Sequence, residues 1–255
     1  MVLFTLIRKD LLEQWRTKKI LILSIIFLFV TISSPILAKI TPELLKSVSV
    51  PGMTLKLPTP TYFDALDQFV KGTSQIALLV LVFVVAGAVS DEKNRKTLEI
   101  LLTKPISRTL FILSKFKAYF ISITAIFAAS SLIFYLYTVS TFASFNFLNF
   151  AIMAGNVLLY ILMIAAVTIL ASTVVKNSIA AGGIGFVVII LFGTIFSLIE
   201  PIKKYSPNTI FSNYKDLVVH GWNNDLFWPL IVIISVIIIS IVVSILVFKG
   251  QEIER

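Results

Sequence analysis

The stretch SDEKNRKTLEILLTKPISRTLF, Ser90 to Phe111, carries three acidic and five basic side chains between two long apolar runs. Upstream, Gly72 to Ser90 contains no charged residue and no His. Downstream, Lys117 and Lys176 are separated by 58 uncharged residues. A helix crosses roughly 30 Å of hydrocarbon with about 20 mostly apolar residues, so such an island joins two membrane spans. The whole chain agrees: 58% of it is hydrophobic, 14% is charged and the mean hydropathy is +0.98, well outside the range of soluble domains.

Working outward, further uncharged gaps run from Ile20 to Ala38, Asn177 to Ile199 and Leu226 to Phe248. The 58-residue run would be about 87 Å long as one helix, so it folds as a hairpin. Its turn falls at Ser140 to Asn149, where Ser, Thr and Asn interrupt the apolar pattern. The reading is an all-α integral membrane protein, one domain over residues 1–255, with six transmembrane helices at about 20–38, 72–90, 118–139, 150–175, 177–199 and 226–248. The N-terminus, Asp91 to Lys117, Lys176 and the C-terminal tail hold 15 of the 22 basic residues, and the alternate loops hold 7. The positive-inside rule therefore makes both termini cytoplasmic. Ile and Lys usage points to a prokaryotic plasma membrane.

Residues 1–19 read as an amphipathic interfacial helix. Phe4, Ile7, Leu11 and Trp15 share one face at helical spacing, and Arg8, Lys9, Glu13, Arg16, Lys18 and Lys19 occupy the rest. Asp10 and Glu13 in the charged region, and the length of the apolar run that follows, set this segment apart from a signal peptide.

Several functions are excluded by what the chain lacks. It has no cysteine and a single histidine, His220, so thiolate chemistry and a His-rich metal cluster are out. The net charge of +9 follows the orientation rule and attracts anionic lipid. No basic run is interleaved with aromatics as a nucleic-acid surface would be. There is no G-x4-G-K-[ST] loop, and Gly182-Gly183-Ile184-Gly185 sits in an apolar run with no Lys to reach a phosphate. Ala181 with Gly185, and Ala151 with Gly155, are small-residue pairs suited to close helix packing. The spans offer only hydroxyls and amides, among them Ser130, Ser131, Tyr135, Asn156, Thr168 and Ser172, too little for an intramembrane enzyme. These groups could line an uncharged translocation path or bond their own backbones. A secondary transporter or ATP-independent channel is the alternative class, and the absence of ionisable groups in the spans weighs against ion coupling. In the loops on the other side, Tyr62, Phe63, Tyr214, Trp222 and Trp228 are candidate interface anchors.

Within the opening stretch, Leu98, Leu101 and Leu102 form a short apolar stripe. Glu92 with Lys96 and Arg95 with Glu99 stand at i,i+4 spacing, Pro105 ends the helix, and Ser107 or Thr109 caps the next span. A helix of about three turns needs a partner surface.

Glu92, Thr97-Leu98-Glu99, Leu101-Leu102 and Pro105-Ile106-Ser107-Arg108 resemble the E-x4-T-L-E-x-L-L-x-x-P-[IV]-S-R signature of ABC type-2 transporter permeases. The resemblance implies that residues 91–108 contain a cytoplasmic coupling helix between spans two and three. This helix would dock on a separate ATP-binding subunit through Glu92, Arg95, Thr97, Leu98, Glu99, Leu101, Leu102, Pro105 and Arg108. It also implies two ATPase subunits that bind ATP and Mg, no cofactor in this chain, a second permease copy or a related permease, and transport, usually export, by alternating access.

Overall fold

Apolar runs of this length satisfy their backbone polar groups in hydrocarbon by forming helices. A computed structural model describes residues 2–48, 59–94, 107–191, 196, 199–222 and 224–251, and these form helices joined by turns, with no strand among them. In chain order they are α1 (Val2–Arg16), α2 (Lys19–Val48), α3 (Tyr62–Gly72) running through a π turn (Thr73–Ala77) into α4 (Leu78–Asn94), α5 (Arg108–Thr141), α6 (Phe147–Val174) and α7 (Ser178–Ile190). Short helices α8 (Glu200–Lys203), α9 (Thr209–Ser212) and α10 (Tyr214–His220) precede α11 (Phe227–Gly250).

Among the described residues, five helical stretches are long and apolar enough to cross a membrane: Lys19–Glu43, Tyr62–Asn94, Arg108–Thr141, Phe147–Val174 and Asn224–Gly250. The expected span at 177–199 corresponds to α7, which has 13 residues, about 20 Å at 1.5 Å per residue. Residues 192–195 and 197–198 lie outside the described residues, as do Arg95, Thr97, Leu98, Glu99, Leu101, Leu102 and Pro105 of the expected coupling helix. Glu92 and Arg108, at its two flanks, are described.

The hairpin turn falls where the polar residues place it. α5 ends at Thr141, and Asn146 caps α6 by accepting from the backbone N–H groups of Leu148 and Asn149. Ser107 caps α5 by accepting from Leu110 N–H at 3.2 Å. Small residues set the helix contacts, because lipid tails give apolar side chains no reason to prefer one another and close packing decides. A Cβ at Gly185 would lie 2.7 Å from Thr168 Oγ1 and 2.8 Å from Val82 Cγ1, so α7 rests on α4 and α6 where this glycine lets it. Ala181, one turn earlier, is fully buried. Gly155 is different: no described atom comes within 4 Å of a Cβ built there.

The helix ends form two groups. The α1 end holds α1, the start of α2, the close of α4, the start of α5 and the closes of α6 and α11. The far end holds α3, the α5–α6 turn and α10. There, Asn149 Nδ2 donates to the carbonyls of Val218 and Val219, both at 3.2 Å, and Tyr62 stacks on Phe145 with centroids 4.9 Å apart. Gly221 closes α10 at φ 79°, a left-handed conformation that favours glycine.

Candidate functional site

The charged side chains of the α1 end are woven together around the two flanks of residues 95–106. The N-terminal helix contributes first. α1 turns Leu6, Asp10 and Gln14 inward, with Asp10 only 2% exposed, while Phe4 and Trp15 remain 74% and 67% exposed. From its sequence, α1 has one apolar face with charged residues on the rest. The structure adds a polar stripe packed against α5.

At the centre stands Lys115 of α5, 3% exposed. Its ammonium lies 2.6 Å from Glu92 Oε1, 2.9 Å from Asp10 Oδ1 and 3.3 Å from Glu13 Oε2. Lys9 bridges the same acids, 2.6 Å from Glu92 Oε1 and 3.3 Å from Asp10 Oδ1. Ser114 donates to Asp10 Oδ2 at 2.7 Å, and Ser122 donates to Gln14 Oε1 at 2.8 Å. The carboxylates of Asp10, Glu13 and Glu92 lie within 4.8 Å of one another, and their three negative charges face the two ammonium groups of Lys9 and Lys115. A buried charge stripped of its partners costs several kcal/mol, so this network specifies one seating of α1 on α4 and α5.

A second knot adjoins it. Lys19 at the start of α2 donates to Asp91 Oδ2 at 3.2 Å and to the Tyr119 hydroxyl at 3.3 Å. Gly87 makes this possible, since a methyl there would overlap the Asp91 carboxylate. A cavity of about 10 Å³ lies among Asp10, Glu13, Gln14, Lys19, Lys115 and Tyr119, about the size of one water.

The flanks are also tied to the later helices. Lys93 donates to the carbonyl of Thr173 at the close of α6, which also accepts from Gln251 Nε2 at 2.9 Å. Arg108 turns inward and donates through Nη1 to the carbonyls of Phe248 (3.3 Å), Lys249 (2.9 Å) and Gln251 (2.8 Å), closing the last turn of α11. Ser172 Oγ lies 3.0 Å from the N–H groups of Val89 and Ser90 and joins α6 to α4.

Of the sequence-derived site residues, the structure thus brings Glu92 and Arg108 into the bracing. Glu92 is 5% exposed, and both engage partners within the chain. Reading the sequence missed Lys9, Asp10, Lys19, Asp91 and Lys115 as one site, because partners such as Lys9 and Glu92 are 83 residues apart and no local spacing signals them. The span hydroxyls and amides largely satisfy nearby backbone: Asn156 donates to Ile152 O, Thr168 to Ile164 O and Tyr135 to Phe145 O. Ser131 lines an apolar groove of about 240 Å³ between α5 and α6 with Phe127, Phe147, Phe150 and Gly155. Among the expected interface anchors, Tyr214 is instead buried and donates to Asp67 Oδ1 of α3. Burial and that carboxylate together raise its pKa above the ordinary tyrosine range.

This arrangement defines a multi-pass helical membrane protein whose polar groups brace the two ends of a segment between spans. The chain belongs to the ABC-2 transporter family: the family model described as "ABC-2 family transporter protein" matches residues 4–253. Membership makes it a membrane-spanning permease subunit of an ABC transporter, a transport subunit rather than an enzyme. It is also similar to the "Uncharacterized transmembrane protein YxlG" of Bacillus subtilis (strain 168), 25% identical over 256 residues that cover 98% of each chain.

Proposed function

We propose that this permease moves its substrate outward by alternating access, driven by ATP hydrolysis on a separate ATP-binding subunit that docks on the 91–108 segment. The observation that carries the reading is the bracing of both flanks. Glu92 and Lys93 close α4, Arg108 and Lys115 open α5, and their polar bonds reach α1, α6 and α11. A push on the intervening residues is delivered to several helices at once. Leu98, Leu101 and Leu102 then supply the apolar docking face, with Arg95, Thr97 and Glu99 as polar contacts and Pro105 as its stop. Glu92 and Arg108 hold the segment from behind.

The chain makes six crossings on this reading. Ser178 follows directly on the close of α6 at the α1 end and Val218 is bonded to Asn149 at the far end, which supports a sixth crossing. The basic residues gather at the α1 end, which supports cytoplasmic termini. Two permease copies, identical or related, and two ATPases complete the transporter, with ATP and Mg on the partner subunits.

The test is purification of tagged protein from its native membrane in mild detergent, beside a Leu98→Glu/Leu102→Glu variant. An ATP-binding-cassette subunit that accompanies the parent and is lost from the folded variant supports the reading. Parent protein that arrives alone would move it to an autonomous channel or secondary transporter.

A further inference from the structure

The charges of the N-terminal segment are sorted by the fold. Its acids turn toward the bundle, where Asp10 and Glu13 meet Lys115 and Lys9. Two of its five cations are used as well, Lys9 on Glu92 and Lys19 on Asp91. The remaining three are Arg8, Arg16 and Lys18, all exposed, and none forms a side-chain ion pair or hydrogen bond with another described residue. The outward side of α1 is therefore purely cationic, although the segment as a whole is of mixed charge.

That side is also apolar. At about 100° per residue, Phe4, Arg8, Leu12 and Trp15 fall within an arc of about 80°. Phe4, Leu12 and Trp15 are exposed. Lys18, at φ 59°, turns the chain from α1 directly into α2, whose Leu21, Ile22, Ile25 and Phe29 are exposed on a membrane-spanning helix. The apolar strip of α1 thus continues into a lipid-facing surface, with Trp15 at its edge, the level at which tryptophan sits in membrane proteins.

We infer that the outer face of α1 is a binding surface for anionic phospholipid, in which Arg8, Arg16 and Lys18 hold headgroup phosphates while Phe4 and Trp15 enter the acyl layer. Charge complementarity and continuity with the lipid-facing side of α2 favour a leaflet over an acidic protein surface. The assignment rests on the permease reading only for which leaflet is met and for its consequence. An anionic leaflet holds α1 seated, and α1 in turn holds Glu92 and Lys115 on either side of the coupling segment.

The chain has three tryptophans, Trp15, Trp222 and Trp228, so Trp222→Phe/Trp228→Phe leaves Trp15 as the reporter. The full-length protein is placed in nanodiscs of phosphatidylcholine with a minor share of phosphatidylglycerol, and bromine is carried by one lipid or the other at equal total bromine. Three cations give a local preference on the order of a hundredfold for the anionic lipid. The expected result is several-fold stronger quenching by brominated phosphatidylglycerol, abolished in Arg8→Gln/Arg16→Gln/Lys18→Gln. Equal quenching by both lipids, or none by either, overturns the inference; quenching by neither means that protein covers the face. Should the tryptophan variants fail to fold, native mass spectrometry on the unsubstituted chain in an equal mixture of the two lipids reads the same preference, and equal retention is the overturning result. Neither readout involves an ATPase, so absence of a co-purifying subunit refutes the permease reading without touching this one.

Discussion

Lys115 Nζ lies 2.6 Å from Glu92 Oε1, joining the opening of α5 to the close of α4 across the very segment that separates them in sequence. The same ammonium holds Asp10 of α1 at 2.9 Å. One lysine thus fixes the spacing of the flanks and the seat of the N-terminal helix.

Lys115→Met leaves Asp10 and Glu92 buried without the ammonium they share, and Lys9 still lies between them. The expected cost is about 3–5 kcal/mol, seen as a lower thermal midpoint in detergent and faster proteolysis of α1. Glu92→Gln in the same chain removes one of the stranded charges, so the double variant loses less than the sum of the two single changes. Strict additivity would show that the two groups do not interact.

Gly87→Ala puts a methyl where the Asp91 carboxylate now lies, and Asp91 must leave Lys19. The expected loss is about 1–3 kcal/mol. Lys19→Ala then costs little more in the Gly87→Ala background, although it is harmful alone, and a thermal-shift double-mutant cycle reads the difference.

Gly185 and Gly155 separate packed from open glycine. A methyl at 185 collides with Thr168 and Val82 and lifts α7 off its neighbours, whereas a methyl at 155 meets no described atom within 4 Å. Unfolding of the purified subunit should show a clear loss for Gly185→Ala and almost none for Gly155→Ala.

Tyr214 supplies a pH dependence at the far end. Its folded pKa is raised from 10.0 by burial first, then by the hydrogen bond to Asp67 and by the charges of Asp67 and Asp64. A raised pKa means that the protonated phenol is favoured by the fold. Its stabilisation is complete below about pH 10 and is lost as the pH climbs through the folded value. Tyr214→Phe should therefore flatten the alkaline fall in stability, and the difference in tyrosinate absorbance between the two proteins should appear above the ordinary tyrosine range.

What the sequence disclosed followed from local rules. Uncharged runs located most spans, polar residues at Ser140 to Asn149 marked the hairpin, and Ser107 was legible as a cap because capping acts within three residues. Span boundaries were less legible. Counting from charge to charge began the second span at Gly72, but the helix starts at Tyr62, because Asp64 and Asp67 lie on its first turns beside α10. α2 likewise runs on through Pro35 and Pro42 to Val48. The bracing at the α1 end was hidden for a different reason. Asp10 and Ser114 are 104 residues apart, and a buried carboxylate paired from afar has the same one-letter signature as a solvated one.

We expect residues 91–108 to face the cytoplasm and to touch an ATP-binding subunit. Because the chain has no cysteine, Leu101→Cys creates a unique thiol. In intact cells this thiol should resist a membrane-impermeant maleimide, it should react once the inner face is opened, and a short bifunctional reagent should join it to an ATP-binding-cassette subunit. Labelling from outside intact cells, or an accessible inner-face thiol that cross-links to no such subunit, would contradict it.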